Sequence, residues 1–199
     1  MEFKHFPKIA RLSRECVVTE KIDGTNASIF IGESGEFLTG SRTQWITPEK
    51  DNYGFSRWAN DHKYELMGLG VGHHFGEWWG SGCQRGYGLA KGEKRFSLFN
   101  AHRWAMVGAK LKSYPQENPT LPPKTQEYAP ACCHVVPVLH EGIFCTVAID
   151  ALLGALKQTG SLASVGFMNP EGIVIYHKAA NVMFKKTIEK DDEWKGKQK

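Results

Sequence analysis

The chain has 199 residues, of which 41% are hydrophobic and 12% aromatic. This length and composition support a buried core and exclude an intrinsically disordered protein. The 25 basic and 21 acidic residues leave a net charge of +4, which excludes a polycation that binds nucleic acid by charge alone. Five cysteines without a Cys-x-x-Cys pair, and no apolar run of about 18 residues, predict a reduced, cytoplasmic protein that does not enter a membrane.

The first half of the chain predicts strands and one helix. Residues 16–20 and 27–31 are rich in β-branched and apolar side chains, and a turn at residues 23–26 separates them. Asn52 is placed to cap a helix that carries Phe55, Trp58 and Ala59 on one face and ends near Gly68 or Gly70. Further strands are predicted at residues 37–41, 74–79 and 95–99.

The second half begins with a proline-rich surface loop, predicted at about residues 113–131. A short strand at 135–139, a helix at 146–158 that Gly160 stops, and strands at 172–177 and 182–188 follow, before a short charged C-terminal tail. The helices do not alternate regularly with the strands, which indicates an α+β fold with mainly antiparallel sheets and flanking helices. We expect one domain over residues 1–199.

The run Glu20-Lys21-Ile22-Asp23-Gly24-Thr25-Asn26 carries the strongest chemical signal. In an extended segment Lys21 and Asp23 share a face, and Gly24 permits a tight turn. A lysine that attacks phosphorus must first lose its proton, which neighbouring carboxylates oppose. Such a nucleophile therefore needs compensating positive charge from other cations or a metal ion. The alternative is a strand end that carries a surface Lys–Asp pair.

Other short motifs follow Lys21-Ile22-Asp23-Gly24 in order. They are Ser41-Arg42, Phe75-Gly76-Glu77-Trp78, Arg95-Phe96-Ser97-Leu98-Phe99-Asn100, Pro170-Glu171-Gly172-Ile173-Val174-Ile175 and Phe184-Lys185-Lys186-Thr187. From about residue 7 to residue 196, this series resembles the covalent nucleotidyltransferases, the superfamily of ATP-dependent DNA ligases, RNA ligases and mRNA capping enzymes. The resemblance implies an ATP-grasp-like nucleotidyltransferase core, used as an adenylation domain.

The resemblance also implies a role for each motif. Lys21 would be the nucleophile that takes AMP from ATP, while Asp23 and Glu171 would hold Mg²⁺ or Mn²⁺ through water. Lys185 or Lys186 would face the phosphates, with Lys185 favoured. The implied catalytic residues are Lys21, Asp23, Glu171, Lys185 and Lys186. The implied contacts to ATP come from Glu20, Lys21, Gly24, Asn26, Arg42, Glu77, Phe99, Glu171, Lys185 and Lys186.

Within this set, Glu77 would contact the ribose and Glu20 the adenine. The aromatic ring of Phe99 would stack on the base, with the ring of Phe96 as the alternative. Arg42 would add positive charge.

Asn26, two residues beyond the glycine, makes the motif similar to RNA ligases rather than capping enzymes. The resemblance thus implies an ATP-dependent RNA ligase that joins 5′-phosphate and 3′-hydroxyl RNA ends through lysyl-AMP. The alternatives are a DNA nick ligase, a capping-type guanylyltransferase, or a non-catalytic nucleic-acid-binding module of the same fold. Only residues 188–199 follow the last motif, so we expect no OB-fold domain.

Two further features favour structural interpretations. The glycine-rich segment 80–88 reads as a structural turn, with RNA phosphate binding by Arg85 as the alternative. The segment Cys132-Cys133-His134 lacks the spacing of a zinc knuckle and favours a buried strand over a metal site.

Overall fold

The computed structural model describes residues 2–116 and 118–191. The strands are β1 (Glu15–Lys21), β2 (Thr25–Ile31), β3 (Phe37–Gly40), β4 (Trp45–Ile46), β5 (Gly72–Gly80), β6 (Lys94–Leu98), β7 (Trp104–Ala105), β8 (Ser113–Tyr114), β9 (Lys124–Thr125), β10 (Glu127–Tyr128), β11 (Cys133–Val135), β12 (Val138–Ile143), β13 (Gly172–His177) and β14 (Val182–Thr187). The helices are α1 (Phe55–Asp61), α2 (Lys63–Leu66) and α3 (Thr146–Thr159), and a 3₁₀ turn covers Met67–Leu69. The chain divides into two compact units, residues 1–21 with 138–199, and residues 22–137.

The first unit is built on an antiparallel sheet in the order β12-β1-β13-β14. Alternate residues of β1 point to opposite faces, so Cys16 and Val18 are buried on the face that carries α3. Ile149 and Leu156 of α3 complete this core. Burying side chains of this kind stabilises the fold by about 1.5–3 kcal/mol each. The helix ends at Gly160, whose φ of 81° suits glycine, as the sequence predicted.

The second unit contains a six-stranded sheet in the order β11-β6-β5-β2-β3-β4, which is antiparallel except for the parallel β11–β6 pair. One face of this sheet packs against α1 and α2. The rings of Phe55, Trp58, Trp78 and Phe96 lie together in this core, with centroids 4.9–5.9 Å apart. The other face of the sheet carries the side chains described below.

The predicted capping of the first helix by Asn52 is wrong. The residue before α1 is Gly54, and the carboxylate of Asp51 accepts hydrogen bonds from the backbone N–H groups of Ser56 (2.7 Å) and Arg57 (3.0 Å). The Asn52 amide instead donates to the Thr25 hydroxyl at 3.0 Å. Asp and Asn are equally good capping residues, so the sequence alone did not choose between adjacent positions.

The region between β7 and α3 is more ordered than predicted. The proline-rich loop contains the short strands β8, β9 and β10. The single strand predicted at 135–139 is wrong, because β11 ends at Val135, β12 begins at Val138, and the two strands belong to different sheets. Pro137 lies between them, and proline lacks the N–H group that a continuous ladder requires.

The α+β class with mainly antiparallel sheets and flanking helices is confirmed. Most of the predicted charged tail, residues 192–199, lies outside the described residues. Within the described ranges, no helix is both long and apolar enough to span a membrane.

Candidate active site

Lys21 is the last residue of β1 in the first unit. Its ammonium Nζ lies 2.6 Å from Oε2 of Glu171, the residue that precedes β13. The two side chains are 24% and 13% exposed, so the pair is accessible from one side while remaining largely enclosed. A hydrogen-bonded ion pair of this kind fixes the direction of the lysine side chain. The structure thus brings together two residues that are 150 positions apart.

Gly172 explains how the backbone passes so close to this pair. It lies opposite Lys21 on one side and Thr187 of β14 on the other. A Cβ atom on Gly172 would lie 2.2 Å from the carbonyl oxygen of Lys186, far inside the contact distance. The glycine therefore allows β14 to pair closely with the strand that Glu171 begins.

The sheet register separates the two candidate phosphate-binding lysines. Lys185 lies opposite Val174, which lies opposite Thr19 of β1, so Lys185 shares the face of Lys21. Lys186 lies opposite Ile173 on the other face, where its ammonium is 3.1 Å from the Asp150 carboxylate of α3. The geometry thus favours Lys185 as the lysine beside the nucleophile.

Glu20 lies on the α3 face of the sheet, one residue before Lys21, and is only 1% exposed. Its carboxylate accepts hydrogen bonds from the Ser161 hydroxyl (2.5 Å) and from the backbone N–H groups of Leu162 (2.8 Å) and Ala163 (2.9 Å). Burial raises the pKa of this carboxyl, and the three hydrogen bonds partly offset the rise. The structure places the Glu20 side chain away from the Lys21 face, where it ties β1 to the segment after α3.

Asp23 is the first predicted site residue of the second unit, and two residues of the glycine-rich segment contact it. Its carboxylate accepts a hydrogen bond from Nε of Arg85 at 3.0 Å, and its backbone N–H donates to the Tyr87 hydroxyl at 2.9 Å. The Tyr87 ring is fully buried and packs edge-on against Trp79, with centroids 5.1 Å apart. The glycine-rich segment therefore holds Asp23 in place through Arg85 and Tyr87, which agrees with the predicted structural role of this segment.

The Glu77 carboxylate accepts hydrogen bonds from two residues that follow Asp23. One carboxylate oxygen accepts from the Gly24 backbone N–H at 3.0 Å, and the other accepts from the Asn26 amide at 3.1 Å. Glu77 is 8% exposed, so these contacts are largely shielded from water. The structure thus joins three predicted binding residues, while the predicted ribose contact of Glu77 stays a prediction.

The reason for a glycine at position 24 differs from the predicted one. Gly24 is absent from the residues with positive φ, so a left-handed turn does not require it. A Cβ there would instead lie 2.4 Å from the carbonyl oxygen of Trp78 and 2.7 Å from Cβ of Trp79. Close approach of two backbones is what excludes a side chain.

The two candidate base-stacking rings lie in different environments. Phe96 is completely buried among the core aromatics, whereas Phe99 is 40% exposed. Phe99 lies one residue beyond the end of β6, the strand in which Ser97 lies opposite Glu77. The Phe99 N–H also donates to the Phe75 carbonyl at 3.0 Å. The structure therefore favours Phe99 over Phe96.

Arg42 is exposed in the turn that joins β3 to β4. The Ser41 hydroxyl and N–H both donate to the Gln44 carbonyl and close this turn. Arg42 makes no ion pair with any residue of the described ranges, which leaves its guanidinium available to an anion.

Sequence reasoning missed the roles of Arg85 and Tyr87. These residues lie more than 60 positions from Asp23, and no local pattern links them to it. The same loop buries Cys83, whose pKa rises to about 11 because burial and the nearby carboxylates of Glu77 and Asp23 disfavour the thiolate. The sequence signal was the spacing of the glycines in residues 80–88. This spacing indicates a constrained loop but does not identify Asp23 as the residue that the loop contacts.

Two groups of residues carry side chains that can bind metal ions. No cluster of three or more His, Cys, Asp or Glu side chains suited to a metal occurs within residues 2–116 and 118–191. Cys133 is buried on β11, which agrees with the buried-strand interpretation of the Cys132-Cys133-His134 segment. Asp23 in the second unit and Glu171 in the first each carry a carboxylate, the donor group that Mg²⁺ and Mn²⁺ prefer.

Several solved structures have a similar fold. A mutant of Naegleria gruberi RNA ligase with ATP and Mn matches with a TM-score of 0.57 and 17% identity, over 89% of this chain and 51% of that chain. A ligand-free mutant gives a TM-score of 0.56 and 18% identity, over 88% and 50%. A third mutant, with AMP and Mn, gives 0.54 and 18%, also over 88% and 50%. This chain therefore spans about half the length of these proteins.

No curated protein sequence matches this chain. A family model described as RNA ligase, however, matches residues 14–188, which include every motif from Lys21 to Lys186. The match covers most of the 199 residues, and the fold of this chain agrees with that of the solved RNA ligases. The chain therefore belongs to the RNA ligase family.

Proposed function

We propose that the protein is an ATP-dependent RNA ligase that joins 5′-phosphate and 3′-hydroxyl ends through a lysyl-AMP intermediate. The observation that carries the proposal is the position of Lys21 at the end of β1, oriented by Glu171 at 2.6 Å and sharing a sheet face with Lys185. Family membership supports ligase chemistry, and the motif that contains Asn26 supports RNA rather than capping chemistry.

The proposed reaction has three phosphoryl transfers. Lys21 first releases a proton from its ammonium group to water, and the neutral Nζ then attacks the α-phosphorus of ATP, so that a P–N bond forms, a second N–H proton is released and pyrophosphate leaves. A 5′-phosphate oxygen of the RNA then attacks the same phosphorus, which breaks the P–N bond and transfers AMP to the RNA end. A 3′-hydroxyl finally attacks the 5′-phosphorus, loses its proton and expels AMP. Each step changes charge on phosphate oxygens, so fixed cations contribute most to the rate.

Glu171 and Lys185 have complementary roles in the first step. The Glu171 carboxylate holds Lys21 in position before the nucleotide reacts. Lys185, on the same sheet face as Lys21, is a cation whose charge offsets the negative charge of the α-phosphate. Lys186 keeps α3 against β14 through Asp150, so we assign it a structural contribution in preference to phosphate binding.

Residues of the second unit are proposed to recognise the nucleoside. Glu77 and Asn26 would contact the ribose region, with Asn26 also needed in the steps after lysine adenylylation. The half-exposed ring of Phe99 would stack on adenine, a contact that any base permits. Arg42 would bind a phosphate.

We propose Mg²⁺ or Mn²⁺ as the metal ion, held by Asp23 and Glu171 through water. Similar Naegleria gruberi structures contain Mn with ATP or AMP, which supports both the metal and the nucleotide. When bound, the ion would neutralise negative charge on the phosphates. Arg85 holds Asp23 at 3.0 Å and so keeps its carboxylate in a defined direction.

Incubation with ATP labelled at the α-phosphate tests the first step. We expect label to remain on the protein after denaturation, and to be absent from Lys21→Ala. Lys157→Ala is the matched control, because Lys157 is an exposed lysine in the last turn of α3 and should label normally. Absence of label from ATP in the intact protein would contradict the proposal. Label from GTP instead of ATP would indicate a capping-type guanylyltransferase.

The acceptor is tested separately with adenylylated protein. RNA and DNA ends should be offered as single strands and as nicked duplexes, and sealed products counted. We expect RNA ends to be joined more efficiently than DNA ends of the same sequence. Preference for nicked DNA would favour the alternative DNA ligase.

A further inference from the structure

The second unit has a cluster of four rings on one face of its sheet, three of them exposed and one, that of Phe30, half-buried. We call this cluster the aromatic platform; it consists of Phe30, Trp45, His73 and Phe75. Trp45 is 50% exposed and Phe75 57% exposed, and His73 is also exposed. Neighbouring ring centroids lie 4.6 Å apart for Phe30–His73, 5.9 Å for Trp45–His73 and 5.7 Å for His73–Phe75. The rings thus form a continuous surface rather than isolated exposed residues.

The strand register places the platform on the face opposite the hydrophobic core. Phe30 lies opposite His73, while the adjacent pair, Ile29 and His74, is buried on the core side. Trp45 lies opposite Gly40, and a Cβ on Gly40 would come within 3.3 Å of the tryptophan ring. Glycine at this point lets the ring lie close to the sheet.

The platform continues the proposed nucleotide-binding surface. Along β5, alternation gives His73, Phe75 and Glu77 one common face. Asn26 lies opposite Glu77, and Phe30, four residues further along β2, lies opposite His73. The exposed rings therefore begin next to the residues assigned to the nucleoside and extend towards β4.

Charge is distributed unevenly around the platform. Arg42 lies in the turn between β3 and β4, at the same end of β3 as Gly40 and close in sequence to Trp45. Glu33 and Glu36 lie in the turn at the opposite end of β3. Arg42 therefore places a cation at the Gly40 end of β3, while the carboxylates of Glu33 and Glu36 disfavour a polyanion at the other end.

We propose that the aromatic platform stacks the unpaired bases of the RNA strand whose end is being joined, so that the protein acts on single-stranded ends. This inference rests on the proposed RNA ligase function. Aromatic rings on an exposed sheet bind about two or three unstacked bases in other RNA-binding folds, and such stacking tolerates any sequence. A paired base in a duplex cannot present its face to these rings, which is why the substrate must be unpaired.

Direct binding measurements without ATP test the platform independently of ligation. The probe is a short fluorescent 5′-phosphorylated RNA single strand, compared with the same sequence as a blunt duplex. Trp45→Ala and His73→Ala should each weaken single-strand binding by about 5- to 100-fold, and Trp45→Phe should restore most of the affinity. Binding of the duplex should change by less than about twofold in all three variants.

Tyr64→Ala is the matched control, because Tyr64 is a 96% exposed aromatic residue on α2 and is not part of the platform. It should leave RNA affinity unchanged. Labelling of Lys21 by ATP reports folding and the first chemical step, and should be normal in the platform variants. Unchanged single-strand affinity in both Trp45→Ala and His73→Ala, with normal labelling, would overturn the platform but leave the proposed function intact.

Two other results have distinct meanings. If no protein labels with ATP but the platform variants lose single-strand affinity, the proposed function fails while the platform stands. If Trp45→Ala leaves RNA affinity unchanged and converts an oligomer to a monomer by light scattering, the platform is a self-association surface and the inference is wrong.

Discussion

Replacing Glu20 separates a structural role from a nucleotide-binding one. Glu20→Ala removes the acceptor for the Ser161 hydroxyl and for the N–H groups of Leu162 and Ala163. Glu20→Gln keeps nearly the same shape, and its carbonyl oxygen can still accept from both N–H groups while its amide donates to the serine oxygen. The two variants thus differ mainly in how many of these hydrogen bonds survive.

The expected magnitudes follow from the burial of this carboxylate. Leaving a buried donor unpaired costs about 1–3 kcal/mol. The two N–H groups are only partly buried, so water can compensate in part; we take the low end for each of the three donors. Glu20→Ala should therefore lower the free energy of unfolding by about 3 kcal/mol, and Glu20→Gln should change it by less than about 1 kcal/mol at neutral pH.

The pH dependence provides a second signature of Glu20. Its pKa in the folded protein is raised above the ordinary value of 4.5, so the folded state binds this proton more tightly than the unfolded state. The contribution of Glu20 to the free energy of unfolding is therefore largest below pH 4.5 and falls as pH rises through the folded-state pKa. Glu20→Gln lacks this titration, so its stability relative to the unaltered protein should increase with pH across that window.

Urea unfolding at several pH values measures these differences, and ATP labelling of Lys21 measures the chemistry in the same samples. We expect Glu20→Gln to label normally. Equal destabilisation by Glu20→Gln and Glu20→Ala would show that the hydrogen bonds accepted by Glu20 do not determine its contribution to stability. Loss of labelling in a stably folded Glu20→Gln variant would place this carboxylate on the nucleotide, against its position on the α3 face.

Three further substitutions, two of them paired with a control variant, test the assignment of the site. Lys185→Ala should slow lysyl-AMP formation by about 100-fold or more, whereas Lys186→Ala, on the other sheet face, should slow it less than about threefold. Gly24→Ala should abolish labelling and lower the free energy of unfolding by about 2 kcal/mol, because the new Cβ would lie 2.4 Å from a backbone carbonyl oxygen. Arg85→Ala should slow labelling by about 10- to 100-fold while changing stability by less than about 1 kcal/mol. As a control, Arg95→Ala breaks the 2.6 Å ion pair of Arg95 with Glu93, whose carboxylate is more exposed than that of Asp23, and should not slow labelling.

For each substitution, a different result would contradict the assignment. A larger rate loss in Lys186→Ala than in Lys185→Ala would reverse the assignment from the sheet register. A stable, fully labelled Gly24→Ala protein would show that the backbone there moves easily. Equal effects of Arg85→Ala and Arg95→Ala would mean that the contact with Asp23 has no specific role.

The strands around the nucleophile were predictable because their signals are local. The alternating burial in β1, and the glycine after α3, follow directly from residue types at short spacing. The contact between Lys21 and Glu171 was not predicted. The family resemblance assigned Glu171 to the metal ion, and no periodicity connects two residues that lie 150 positions apart.

Other features required the register of the assembled sheets. Neighbouring residues on a strand point to opposite faces, but which face carries the site depends on pairing with strands far away in sequence. Lys185 and Lys186 could not be distinguished by reasoning from the residues alone for this reason, nor could Phe96 and Phe99. The support of Asp23 by Arg85 depends on the path of the glycine-rich segment 80–88, in which six residues have positive φ, and residue spacing alone does not specify that path.

Mapping the AMP adduct by mass spectrometry determines whether Lys21 is the nucleophile. The protein is incubated with ATP and Mg²⁺ without RNA, denatured at neutral pH, digested, and its peptides fragmented. We expect one added AMP, attached to the side chain of Lys21 and lost in Lys21→Ala. An adduct on another residue, or none at all in a folded protein, would contradict it.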